Sequence, residues 1–367
     1  MILKQIIEYF NSVAPFALQE DYDNAGIQVG EPDRNVRQAT ICLDVTEAVL
    51  EDALKTGSDL IISHHPLIFR GVKNITGSDM TGRILLRAIR ENVAIVSVHT
   101  NLDNIPDGVN KVIAGRLGLK NTRILEPRRS GLKKLVTFCP PDHAEKLRGA
   151  LFEAGAGHIG NYDSCSYNLQ GTGSFRAGEG SHPYVGEIGN IHYEEETRIE
   201  TVFPGHIRNT VLAALFRAHP YEEVAYDIYS LDNEFNQAGA GLTGTLDPEM
   251  DERDFMECLM KRFELKVIRH SPLLGRKIRK VALCGGSGAF LIRRAMNSGA
   301  DVFITADVKY HEFFDAGNKM VIADIGHYES EQHTKALIYH LLKKKFPTFA
   351  LRISEINTNA IHYYSHI

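Results

Sequence analysis

The chain has 367 residues, 43% hydrophobic and 24% charged, which is ample for a core and longer than one domain of usual size. Its 41 basic and 46 acidic residues give a net charge of −5, which argues against a general nucleic-acid binder. Five scattered cysteines without a Cys-x-x-Cys pair argue equally against a disulfide framework and a thiolate zinc site.

The first segment, Met1 to Phe10, has helical spacing with Lys4 and Glu8 inside it, which is not the pattern of a secretory signal. No run of about 18 apolar residues is long enough to span a bilayer. The expectation is a soluble protein of the reducing cytoplasm. Next, "EDYDNAGIQVG" (20–30) combines Asp23 and Asn24 with a glycine-rich turn. It reads either as an Asx-turn entering a strand or as part of a site.

The segment "CLDVTEAVLEDALKTGSDLIIS" (42–63) reads strand, helix of period 3.6, glycine stop, strand. It is followed by the adjacent imidazoles His64 and His65 in "SHHP". A second strand, "NVAIVSV", runs into His99 and then Asp103 in "HTNLD". Far downstream, "CGGSGAFLIRRAMNSGADVFIT" (284–305) falls on residues 42–63 with a constant shift of 242 and no gap. The two copies predict a duplicated parallel α/β unit.

Between the copies lies a different repeat. Ala150-Leu151-Phe152-x-Ala154 matches Ala214-Leu215-Phe216-x-Ala218 at a shift of 64, which also carries Tyr162-Asp163 onto Tyr226-Asp227. Each half reads strand, helix, strand, which predicts a ferredoxin-like βαββαβ domain, with "GTGSFRAGEG" (171–180) as a long exposed loop or hairpin. The expected class is therefore α/β. Two pseudo-repeated halves (1–125 and 237–367) form one metal-binding body, and an α+β domain (126–236) is inserted between them.

In a parallel sheet, ligands bind at the carboxyl ends of the strands. Four such ends are predicted on one edge. They carry His64 and His65, then His99 and Asp103, then "ITADVKYHEFF", and finally His327 and Glu331 in "GHYESE" after "NKMVIAD". A helix starting at His327 would set His327 and Glu331 on one face, a turn apart. His64, His65, Asp103, His327 and Glu331 make five nitrogen and oxygen donors, more than one tetrahedral ion needs. Two divalent ions sharing a carboxylate would use them all, with zinc the first choice and iron or manganese alternatives. His99 is a ligand, a partner that orients a ligand, or a proton carrier, with the last two preferred. "CGGSGAF" offers backbone amides at Gly285 to Gly288 that could hold a phosphate, or simply a tight turn. The Lys343–Lys345 run, near the end of an apolar-periodic helix, complements the helix dipole and reads as structural.

Taken together, "SHHP", "HTNLD", "CGGSG", "ADVKYHE" and "GHYESE", with Asp-Asn-x-Gly near the start, resemble the NIF-three-like family, also called GTP cyclohydrolase type 2 homologues. The match runs along nearly the whole chain, and Tyr22 stands where many members carry tryptophan. "HPYEEVAYDIY" (219–229) resembles the PII- or CutA-like insert of the longer bacterial members. The resemblance implies two metal ions on His64, His65, Asp103, His327 and Glu331, a homohexameric ring, and a nucleotide-like ligand. For ring opening of GTP it would give His99 or His311 the proton transfers. Asp23, Asn24, Gly286, Ser287 and Lys309 would contact the substrate.

Overall fold

The computed structural model describes residues 1–129 and 131–364, a mixed α/β protein with three sheets. The chain divides into two compact units, Met1–Pro127 with Gln237–Ile367, and Arg128–Asn236. Among the described residues no helix is long and apolar enough to cross a membrane.

The first unit contains two sheets. One has five strands in the order Gly26–Val29, Ala94–Ser97, Leu60–Ser63, Gln38–Cys42 and Ala350–Ile353. All neighbours are parallel except the first pair. The other has six strands in the order Arg269–His270, Val321–Asp324, Val302–Ala306, Lys277–Ser287, Phe235–Asp251 and Lys120–Arg128. Its central three are parallel.

Strands Leu60–Ser63, Ala94–Ser97 and Val302–Ala306 are buried at every position, because a parallel strand is covered on both faces. Alternate residues then feed different cores. Ile41, Ile62 and Val96 of the first sheet share one core with Leu283, Ile304 and Ala323 of the second. Ile61 and Ile95 face outward onto helices Glu47–Lys55 and Met80–Arg90, while Phe303 and Ile322 do the same in a third cluster.

The 242-residue repeat is visible in detail. Helix Glu47–Lys55 starts at Thr46, whose hydroxyl accepts the Val49 amide. It stops before Gly57, and the matching helix Ile292–Asn297 stops before Gly299. Both glycines have φ of +76°, a conformation that a side chain would strain. The two sequence halves are not self-contained, however. Strand Ala350–Ile353 pairs with Gln38–Cys42, and strand Lys120–Arg128 edges the sheet built mainly from the C-terminal half. Local periodicity cannot reveal such exchange, because it fixes a strand's existence and not its neighbour.

The second unit has a single four-stranded sheet in the order Ser166–Arg176, Ile191–Pro204, Leu132–Cys139 and Tyr226–Ser230, antiparallel throughout. Helices Ala144–Glu153 and Arg208–Ala218 cover one face, and Leu147, Leu151, Val211 and Leu215 meet Leu135, Ile199 and Phe203 there. The repeated leucines, Leu151 and Leu215, thus serve the same core. The glycine-rich stretch splits, with residues up to Arg176 in a long hairpin strand and the rest in its connection. Tyr162 lies in a turn where its repeat partner Tyr226 opens a strand.

Candidate metal centre

The carboxyl ends of the parallel strands converge within the first unit. Leu60–Ser63 delivers His64 and His65, whose amides donate to the carbonyls of Cys42 and Leu43 and fix the backbone. The Ser63 hydroxyl bonds the His65 carbonyl at 2.7 Å. Helix Thr100–Asp103 follows Ala94–Ser97 and supplies Asp103, and helix His327–Glu331 supplies both of its ends.

Glu331 stands at the centre. Its Oε2 lies 2.9 Å from His65 Nε2 and 3.1 Å from His327 Nε2, which are themselves 3.3 Å apart. Its Oε1 lies 3.9 Å from His64 Nε2, and His64 Nε2 is 3.6 Å from Asp103 Oδ1. Two groups of ligand atoms result, His65 with His327 and Glu331, and His64 with Asp103 and Glu331, each close enough to hold one ion. A third group joins His99 to His64 and His65.

Each imidazole is held from behind. His64 Nδ1 donates to the Val98 carbonyl at 2.8 Å, His65 Nδ1 to Asp44 at 2.7 Å, His327 Nδ1 to Asp307 at 2.6 Å, and His99 Nδ1 to Asp23 at 2.7 Å. A carbonyl can only accept, so His64 carries a proton on Nδ1, and in the neutral form that binds a metal it turns an Nε2 lone pair inward. That lone pair and the facing Asp103 Oδ1 are buried acceptors without any hydrogen-bond partner among the described residues. Two acceptors facing each other in a dry site repel unless a cation lies between them. The donor set therefore fits a divalent ion on independent grounds of geometry and charge.

The electrostatics agree. Burial, then the nearby Glu331 charge, outweigh the imidazoles and push Asp103 up to about 7. For Glu331 burial is outweighed by the surrounding imidazoles, with the hydrogen bond from His327 first among them, and its carboxyl is held well below the usual range. His65 is raised to about 9 and His327 to about 11, against burial, because each is bonded to two carboxylates. The carboxylates thus draw positive charge into the cluster, and a metal ion bound there displaces the protons of His65 and His327.

The other sequence-derived residues take different places. Asp23 is fully buried at its side chain and does not line the adjoining cavity; it accepts from His99, the Thr100 amide and the Thr100 hydroxyl. It orients His99 instead of meeting a ligand. Asn24 ties two loops together by donating to the Ile68 carbonyl at 2.7 Å.

Gly286 makes room for Glu331: a Cβ there would sit 2.2 Å from Oε1, and φ is +60°. The amides of Gly285, Gly286 and Gly288 donate to Asn110, Ser330 and Thr305 side chains, so the turn offers no phosphate cradle at those amides. Ser287 lines the cavity. Lys309 and His311 are exposed on the turn around Tyr310–Phe314 and do not line it.

Sequence reasoning passed over Asp44 and Thr358, and gave Asp307 no role beyond its place at a strand end. Asp44 lies just beyond strand Gln38–Cys42, on the same edge, and accepts from the Thr358 hydroxyl at 2.6 Å. Asp307 occupies the repeat position of His65, a signal that was available.

Comparison with known proteins places this architecture. The family model described as Duf34/NIF3 (NGG1p interacting factor 3) matches residues 1–360. The "GTP cyclohydrolase 1 type 2 homolog" of Halalkalibacterium halodurans is 39% identical, covering 97% of this chain and 96% of its own length. The protein of the same name from Bacillus subtilis is 36% identical, covering 97% of each. The crystal structure of a Bacillus cereus protein related to NIF3 superposes with a TM-score of 0.83 at 38% identity, covering 99% of both chains. The chain belongs to the Duf34/NIF3 family.

Proposed function

We infer that the protein is a metal-dependent hydrolase with a dinuclear centre, acting on a small nucleotide-like molecule. One observation carries the reading: His64 Nε2 and Asp103 Oδ1 are opposed, buried and unpartnered beside a carboxylate whose second oxygen serves another histidine pair. His64, Asp103 and Glu331 would hold one ion; His65, His327 and Glu331 the other. Zinc suits this mixture of imidazole and carboxylate, with iron or manganese as alternatives.

Ions held there supply Lewis acidity and lower the pKa of water toward about 7. The chain's own residues do the rest. Asp23 fixes the His99 tautomer, so His99 Nε2 faces the cluster and can accept or return a proton. Asp44 and Asp307 hold His65 and His327 in place. Opening an imidazole ring by water addition and releasing formate needs an activated water and a proton carrier side by side, and the relatives' name makes GTP the first substrate to test.

Metal-loaded protein should release formate from GTP, and the His65→Ala, Asp103→Ala double variant should not. Equal turnover by the double variant would sink the hydrolase reading.

A second reading, a metal- or nucleotide-responsive regulator, is favoured by the separate compactness of Arg128–Asn236. Its strand-helix-strand-strand-helix-strand order, with the first and third strands central and the second and fourth on the edges of an antiparallel sheet, supports a ferredoxin-like insert of PII or CutA type. Deleting that unit would abolish a partner response under this reading and leave formate release intact under the first. We also retain cytoplasmic residence and a homohexamer as parts of the proposal, the latter to be tested by light scattering.

A further inference from the structure

Beside the metal-ligating cluster the first unit has a cavity of about 980 Å³, and the composition of its wall is informative about the ligand. Among the described residues no lysine or arginine lines it, whereas Glu20, Asp44, Asp103 and Glu331 do. Lys335 lies over the Tyr328 ring at 5.9 Å, and Lys309 is exposed outside the cavity.

A phosphate could also be held by backbone amides, but those of Gly285, Gly286 and Gly288 are already bonded to side chains. Two divalent ions would not leave surplus positive charge either. Asp103, Glu331, Asp44, Asp307 and Asp23 all sit within or directly behind the cluster, and these five carboxylates offset four charges. Recognition of a polyphosphate ordinarily needs arginine, lysine or a free amide nest.

The wall does offer aromatic surface. Tyr22 and Phe69 have ring centroids 6.3 Å apart with their planes 47° to each other, and Phe69 meets His99 edge-on at 6.1 Å, so the rings line a path toward the metal cluster without sharing one plane. Tyr22 is 64% exposed, Phe69 47% and Phe290 69%, and all three line the cavity. The Tyr22 and Phe69 loops are tied to each other, since Asn24 donates to the Ile68 carbonyl and the Ile68 amide donates to the Gln28 side chain. Large exposed rings at a cavity form a stacking surface for a planar ligand.

We propose that the cavity takes a planar heterocycle without phosphates, a nucleobase or its nucleoside, stacked on one ring of the Tyr22–Phe69 pair and meeting the other at its edge. This rests on the hydrolase reading for the site but narrows the substrate away from the triphosphate in the relatives' name.

The test is calorimetric titration of the metal-loaded full chain with guanosine, GMP and GTP at low and raised ionic strength. Affinity should not rise from guanosine to GTP, and lowering the salt should not favour GTP. The Tyr22→Ala, Phe69→Ala double variant should weaken guanosine roughly tenfold or more, the size expected for losing base stacking. Tyr22→Phe should retain binding. The proposal falls if GTP binds tenfold tighter than guanosine, if the double variant binds guanosine normally, or if neither compound binds. Guanosine bound without formate release would defeat the hydrolase reading alone. Formate release with a clear preference for GTP would defeat only this one.

Discussion

The two copies of the strand-helix-strand unit, 42–63 and 284–305, share a scaffold and differ at the edge where chemistry occurs. Ile62 and Ile304 enter one core, Gly57 and Gly299 end their helices with the same φ, and Asp59 and Asp301 play one role. Asp59 accepts the amides of Arg37 and Gln38, and Asp301 those of Arg279 and Lys280, at repeat-equivalent positions. Past the strands the equivalence ends. Asp44, which orients His65, corresponds to Gly286, which gives Glu331 space; His65 itself corresponds to Asp307, which orients His327. Packing constrains the scaffold in both copies, whereas the strand ends are free to divide the labour of one centre between them.

The scaffold half of this comparison has the largest expected effects. Ile62→Ala and Ile304→Ala should each cost about 2–5 kcal/mol, and similar values by urea unfolding would confirm that the copies share one core. A cost below about 1 kcal/mol for either would break the equivalence.

At the edge, Asp44→Asn and Asp307→Asn should each lower metal affinity roughly 10- to 100-fold, as expected for groups that orient ligands. Competition with a chelator measures this. An effect in only one variant would show that the copies support their histidines unequally.

Asp23 supplies a pH test. Burial raises its carboxyl, but the hydrogen bond and charge of His99, then the Thr100 bond, bring it from 3.8 to about 2. The folded value is the lower one, so the stabilisation is complete above 3.8 and is lost as pH falls through about 2. Its size is about 2 kcal/mol, and Asp23→Asn should remove that dependence from acid unfolding curves.

The smallest effect concerns the repeated aspartates. Arg37 adds an ion pair to Asp59 at 3.1 Å, but its side chain is 84% exposed. Arg37→Ala should therefore cost less than about 1 kcal/mol in thermal unfolding.

Much of this was legible in the sequence because packing leaves periodic marks. The constant shift of 242 located both copies, and strand ends followed by histidines located the edge. The helical spacing of His327 and Glu331 matches helix His327–Glu331, and the five expected donors lie together around Glu331. The orienting carboxylates were hidden because Asp44 and His65 are adjacent only once neighbouring strands pair in register, with Cys42 opposite Ser63. Gly286 and its neighbours stayed open between an anion cradle and a tight turn, because composition cannot tell a free amide from one that a distant serine has claimed. Lys309 and His311 share the right strand end, but their turn carries them outward, a direction that spacing does not encode.

The exchanged edge strands have a consequence for synthesis. Gln38–Cys42 needs Ala350–Ile353 as its neighbour, a segment made more than three hundred positions later. An N-terminal fragment emerging from the ribosome can form local helices, but its sheet keeps an open parallel edge until the final strand arrives. Closure of that long loop precedes the reward of pairing, so completion of the body is slow and waits for Ala350–Ile353. The metal centre is then among the last parts to be assembled, since Glu331 is translated only shortly before the strand that closes the sheet.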